Sequence, residues 1–197
     1  MGKVRVLNVT RVLLSPLDGA SPEAIKLSFF DARWIRFPPL QLLLLFSTDR
    51  PIPSLVDEFR ESLSQTLSRY YALAGKFTAV DGTGDLVISF SGDGDNGVDF
   101  LWAEAEGIHF QRLTDYQDYD MEALSSLVPV LDASQLPGPV FSAQVTGFPG
   151  RGVTIGFSMH HMAAYGKTIW QFLDAWAAEC RMSSAGGASS LPEPPHG

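Results

Sequence analysis

The sequence predicts an α/β domain, a mixed β-sheet with helices packed on it. Two observations carry this. Apolar residues step by three or four along Ser54 to Ala74 and again along Gly166 to Arg181, the spacing of amphipathic helices. Around these helices lie stretches in which apolar residues alternate with others, the period of strands with two unlike faces.

The elements follow in order. In Val4 to Leu14, Val4 and Val6 alternate against Lys3, Arg5 and Leu7, and Ser15-Pro16 and Asp18-Gly19 end the strand. Ile25 to Ile35 is apolar and aromatic but fits neither period, so its secondary structure stays open. Pro38-Pro39 stops any helix there. Leu40 to Phe46 is then a continuous apolar run, the pattern of a strand buried on both faces. In Ser54 to Ala74 the stripe is Val56, Phe59, Leu63, Leu67 and Tyr70. Ser54 and Asp57 predict a capping box, and Gly75 a left-handed end.

Leu86, Ile88 and Phe90 alternate, as do Val98, Phe100 and Trp102, and the turn-rich SGDGDNG between them predicts a hairpin. That loop lacks the full oxygen pattern and the closing Glu of an EF-hand. Asp120 caps a short helix through Leu127, which Pro129 terminates. Phe141, Ala143 and Val145 mark a strand, and PGRG turns it back into Val153 to Met159 as a second hairpin. In that last strand Val153, Ile155, Phe157 and Met159 take one side; Thr154, Gly156, Ser158 and His160 take the other, as in a half-buried strand. A short loop follows His161. Gly166 opens the final helix, with Ile169, Phe172, Leu173, Trp176 and Cys180 on its apolar face and Lys167, Gln171, Asp174 and Glu179 on its polar one. Residues 1–182 read as one domain, and 183–197 as a flexible, linker-like tail with no apolar face to bury.

Composition narrows the function. A formal net charge of −8 argues against nucleic acid as a partner. A single cysteine, Cys180, offers neither an intrachain disulfide nor a thiolate metal cluster. The opening MGKVRVLNVT has no apolar core of signal-peptide length, and Leu42 to Leu45 is far too short to cross a bilayer. These readings place the chain in the cytoplasm, with no membrane partner.

The chemistry gathers at His160-His161, where a strand gives way to a helix. A neutral imidazole suits the removal of a proton from a hydroxyl or amine near neutral pH. Adjacent strand residues point to opposite faces, so the pair would ligate one metal ion only if the loop turned one of them round. A general base and a purely structural pair both remain open on the residues alone.

The wider segment PVFSAQVTGFPGRGVTIGFSMHHMAAYGKTIWQFLDAWA resembles the hallmark region of plant BAHD acyltransferases, whose motif is His-His-x-x-x-Asp-Gly before a Phe/Trp-rich helix. LSFFDARWIRFPPLQLLLLF is similar to the family's Phe-Phe-Asp-x-x-Trp segment, SLVDEFRESLSQTLSRYYALAGKF to its helix ending in Leu-Ala-Gly, and GVDFLWAEAEG to the strand that follows. The likeness runs from about Val4 to Arg181. The VTGFPGRG phrasing leans toward the branch that acylates phenolic and flavonoid glycosides. The resemblance implies a chloramphenicol-acetyltransferase-like domain and acyl transfer from acyl-CoA, a co-substrate, to a small-molecule acceptor, with no bound cofactor and no metal. It implies His161 as the base, no catalytic part for His160, and a tight backbone at Gly166.

Two departures stand out. Tyr165 occupies the place of the motif's Asp, which in the family ties the loop down through an ion pair with an arginine. A phenol with a reference pKa of about 10 is neutral at pH 7 and cannot replace that charge. Losing one partner of a buried pair costs about 3–5 kcal/mol, so the loop around His161 is expected to be displaced or loosened. The second departure is length: family members are longer, with a second domain that completes the reaction tunnel. This sequence resembles the N-terminal domain alone, whose exposed inter-domain face would suit a protein partner. Beside an acyltransferase weakened as a lone half stands the alternative of a non-catalytic binding domain.

Overall fold

The computed structural model describes residues 2–14, 22–28, 31, 34, 37–91, 96–114, 120–132, 134–163 and 166–184. Their strands are β1 (Lys3–Leu13), β2 (Ile25–Lys26), β3 (Leu40–Ser47), β4 (Lys76–Ala79), β5 (Leu86–Ser89), β6 (Gly97–Glu106), β7 (Gly138–Pro139), β8 (Phe141–Phe148) and β9 (Gly152–Met159). The helices are α1 (Ile52–Arg69), α2 (Met121–Ser126) and α3 (Gly166–Ser184). A five-stranded sheet runs β1-β6-β8-β9-β3 and a four-stranded one β2-β5-β4-β7. The larger sheet is mixed, because β6 and β8 are parallel and its other pairs antiparallel. This is the expected α/β class.

The sheet's two faces sort by the strand period. Phe141, Ala143 and Val145 of β8 join Val153, Ile155, Phe157 and Met159 of β9 in the main core, against Leu63 and Leu67 of α1 and Phe172 and Trp176 of α3. On the other face Leu43 and Leu45 of β3 and Phe148 of β8 meet Phe110, Leu113 and Leu127. The leucine run thus packs on both faces, as its continuous pattern predicts. It is only half-buried, however, because β3 lies at the edge of the sheet.

The helices α1 and α3 lock together through one hydroxyl. Ser62 Oγ donates to the carbonyl of Glu58, accepts from Trp176 Nε1 at 2.9 Å, and lies 3.0 Å from Cys180 Sγ. Glu179, which reads as part of the polar face, is instead buried at 5% exposure, 3.6 Å from Arg69 at the end of α1. A helix pressed along its length against another has a wider covered arc than its apolar stripe shows.

Several local expectations are corrected. No capping box forms at Ser54, because Pro51 and Pro53 start α1 earlier, with Pro51 as its N-cap and no side-chain cap bond. Asp57 pairs with Arg60 instead. The helix ends at Arg69 and a 3₁₀ turn follows over Tyr71–Ala74. Gly75 has φ −83°, so it is not a left-handed cap. Its lack of a side chain serves close approach, since a Cβ there would collide with Ile88 Cγ2.

The strands β5 and β6 are not a hairpin. β5 pairs with β4, a strand not predicted, across Asp81-Gly82-Thr83-Gly84, where both glycines take positive φ. β6 belongs to the other sheet. Ser91 and Asn96 brace the crossing, the Asn96 side chain accepting from the Ser91 N–H and donating to its carbonyl; residues 92–95 lie outside the described residues. The Asp120 cap and the β8–β9 hairpin form as predicted. Helix α3 runs to Ser184, two residues beyond the expected boundary, and 185–197 lie outside the described residues.

The strand β9 is buried at all eight positions rather than on one face. Its small and polar side is roofed by the chain after α2. Ser158 Oγ donates to the Pro129 carbonyl, and Gln144 Nε2 of neighbouring β8 donates to the carbonyl of Ser126 at 3.0 Å. A Cβ at Gly156 would strike the Leu127 carbonyl oxygen and lie 2.8 Å from Val128 Cα, both rigid backbone. Gly156→Ala is therefore expected to lose about 1–3 kcal/mol of stability, read from the shift of a urea unfolding midpoint at unchanged slope.

Candidate active site

The site begins where β9 runs out of partners. Met159 is its last paired residue, facing Leu40 of β3 on one side and Phe141 of β8 on the other. The His160 N–H still donates to the Val140 carbonyl at 2.8 Å, so the backbone remains anchored one residue past the strand. The chain then turns. His161–Ala163 is a 3₁₀ turn, closed by the Ala163 N–H donating to the His160 carbonyl at 3.0 Å.

The two histidines go different ways, as their adjacency requires. His160 is 3% exposed and packs on Phe77, ring centroids 4.5 Å apart. Its Nδ1 accepts the Met162 N–H at 3.3 Å, so the ring fastens the turn that carries its neighbour. An accepting Nδ1 means a neutral imidazole. Burial favours the same form, pushing the His160 pKa below its ordinary value, with the charge of His161 adding to the effect.

His161 is partly exposed. Its ring stacks on Trp34, centroids 5.5 Å apart and planes 20° from parallel, and meets Phe37 at 6.0 Å and 69°. Trp34 and Phe37 lie against each other at 4.8 Å, joined by a turn in which the Phe37 N–H donates to the Trp34 carbonyl. Register explains the meeting. Because Leu40 pairs with Met159 in an antiparallel ladder, residues just before β3 lie beside residues just after β9. Sequence reasoning assigned no role to Trp34 or Phe37, although both sit in the FFDARWIRFPP stretch.

Gly166 is the first residue of α3. Tyr165 lies outside the described residues, so the expected displacement of the loop is not visible at that position; the part before it, through Ala163, is a closed turn. A cavity of about 60 Å³ opens behind the turn, lined by Tyr70, Leu73, Met159, Ala163, Thr168 and Phe172, but His161 does not line it. Among the described residues no three His, Cys, Asp or Glu side chains stand together as a metal site. A partly exposed imidazole on a closed turn, backed by aromatic rings, is the kind of group that general-base chemistry at the surface of this domain would need.

The fold and the site together define a class. A transferase-family model matches residues 7–189. The chain belongs to that family, the BAHD acyltransferases, and corresponds to its N-terminal domain. It is 32% identical over 185 residues to phenolic glucoside malonyltransferase 1 of Arabidopsis thaliana, a match covering 90% of this chain and 38% of that protein. It is 31% identical to the malonyl-CoA:anthocyanidin 5-O-glucoside-6''-O-malonyltransferase of the same plant, covering 90% and 39%. The chain thus spans about two fifths of the length of the curated relatives it matches. Among solved structures, vinorine synthase shares the fold with a TM-score of 0.71 at 20% identity, covering 91% of this chain and 43% of that one. TRI101 of F. sporotrichioides, complexed with coenzyme A and T-2, does so with a TM-score of 0.56 at 17% identity, covering 81% and 41%.

The depressed pKa of buried His160 carries a signed consequence. Its contribution to stability is complete above the ordinary value of 6.5 and is lost as pH falls from there through the lower folded value, because the unfolded chain binds the proton first. His160→Asn keeps an acceptor for the Met162 N–H, as in an Asx turn, and removes the titration. Urea unfolding at a series of pH values is expected to show the wild type weakening below 6.5 relative to this variant.

Proposed function

We propose that this chain supplies the general base of an acyl transfer from acyl-CoA to a hydroxyl or amine of a plant secondary metabolite. A phenolic or flavonoid glycoside is the acceptor class that its relatives' names favour. The observation that carries this is the placement of His161, on a turn fixed by two hydrogen bonds through His160 and with its ring partly exposed.

In this reading His161 takes the proton of the acceptor O–H or N–H as the heteroatom's electron pair attacks the thioester carbonyl. The tetrahedral intermediate then collapses: the C–S bond breaks, the new ester or amide remains, and the departing thiolate recovers the proton from the imidazolium as CoA thiol. His160 does not touch the reactants. It holds the turn, and geometry is what base catalysis depends on.

The base-bearing domain runs through the end of α3 at Ser184, two residues past the expected boundary at 182. The partly exposed side of His161 is where acyl-CoA, the acceptor and the family's second domain would converge. We propose the cytoplasm as the site of the reaction. No helix of the described residues is long and apolar enough to cross a membrane.

The test is thiol release from malonyl-CoA and coumaroyl-CoA in the presence of a phenolic glucoside. His161→Ala is expected to lower the rate by about 10²–10⁴-fold, the ordinary worth of a general base. A rate that His161→Ala leaves unchanged removes His161 from the chemistry.

A further inference from the structure

The base has an uncompensated problem of charge. Once it holds the acceptor's proton it is an imidazolium, and among the described residues no carboxylate pairs with it. The motif position that carries an Asp in the family holds Tyr165, a group neutral at pH 7. Of the other titratable groups nearby, His160 turns away onto Phe77, and Arg33 and Arg36, which flank Trp34 in sequence, lie outside the described residues.

What His161 does have is an indole face. The electron-rich face of a Trp attracts a cation within about 6 Å of its centroid, and more strongly than Phe or Tyr does. The Trp34 centroid lies 5.5 Å from that of His161 with the planes 20° from parallel, an offset stack. At 38% exposed, Trp34 is held in place rather than swallowed by the core, and Phe37 leans on it from the side.

We propose that Trp34 is a positioning residue for the base: its indole face fixes the plane of the His161 ring and stabilises the positive charge that ring acquires on taking the proton. This deepens the base assignment and rests on it. A face of this kind acts on the protonated form more than on the neutral one, so it strengthens as proton transfer proceeds. It holds the ring without competing for its nitrogens, which a hydrogen-bonding partner would occupy.

The experiment follows the titration of His161 by NMR of the folded 197-residue chain, the signal assigned with His161→Gln. Trp34→Leu is expected to lower the titration midpoint by about half a pH unit, about threefold in proton affinity, with Trp34→Phe in between. Biosynthetic replacement of tryptophan by its fluorinated analogues draws electrons from the indole face and nearly preserves its shape. It is expected to lower the midpoint stepwise with the number of fluorines, and it keeps the test intact should Trp34→Leu fail to fold. A midpoint that stays put across the fluorinated series overturns the proposal. The readout needs no turnover, so it fails or succeeds separately from the effect of His161→Ala on thiol release. Where turnover is measured, the acid limb of the pH–rate profile moves with the same shift.

Discussion

The antiparallel ladder between β3 and β9 is the constraint from which the site follows. Leu40 opposite Met159 fixes everything past the ends of both strands: the aromatic turn of Trp34 and Phe37 before one, and the paired histidines after the other. A slip of one residue would turn Leu42 and Leu44 out of the main core and move Phe37 along the imidazole by a strand step. In the observed register Ile155 and Phe157 of β9 pack in the main core beside Leu42 and Leu44 of β3. The β3–β9 register, not any contact within the site, sets the distance between His161 and its aromatic neighbours.

The central hairpin β8–β9 is buried on both faces although half of its side chains are small or polar. Most of these are met by hydrogen bonds or close backbone packing: Gln144 donates to the last residue of α2, Ser158 to Pro129 beyond it, and Gly156 lets that chain lie against the sheet, while the Thr154 hydroxyl is buried without a partner. The same economy governs the histidines. His160 is buried because its Nδ1 satisfies a backbone N–H, and His161, one residue on, is left partly exposed. Two identical side chains acquire unlike surroundings from the alternation of a strand end.

The fold class, the two long helices, the second hairpin and the histidine pair were legible because each rests on a local pattern of apolar spacing. What was not legible depends on partners distant in sequence. The hairpin expected between β5 and β6 joins two different sheets, and a turn-rich loop cannot disclose which sheet its strands will enter. The apparent capping box lost to prolines that had already set the backbone angles of the first turn. Glu179 looked solvent-facing until Arg69 of another helix was brought alongside. Trp34 had no period to mark it, and its place against His161 appears only when β3 is set beside β9. His161 is singled out in the sequence chiefly by its motif; composition alone does not separate a base from a structural pair.

The edge position of β3 also bears on how the chain comes into being. During synthesis the leucine run emerges long before β9, its neighbour in the sheet, which lies near the other end of the described chain. Until then Leu40–Ser47 is an apolar strand with no hydrogen-bonding mate, the kind of segment that sticks to other nascent chains. Chaperone capture during translation would guard this interval, and a ribosome that halted before Gly152 would release a polypeptide prone to clump.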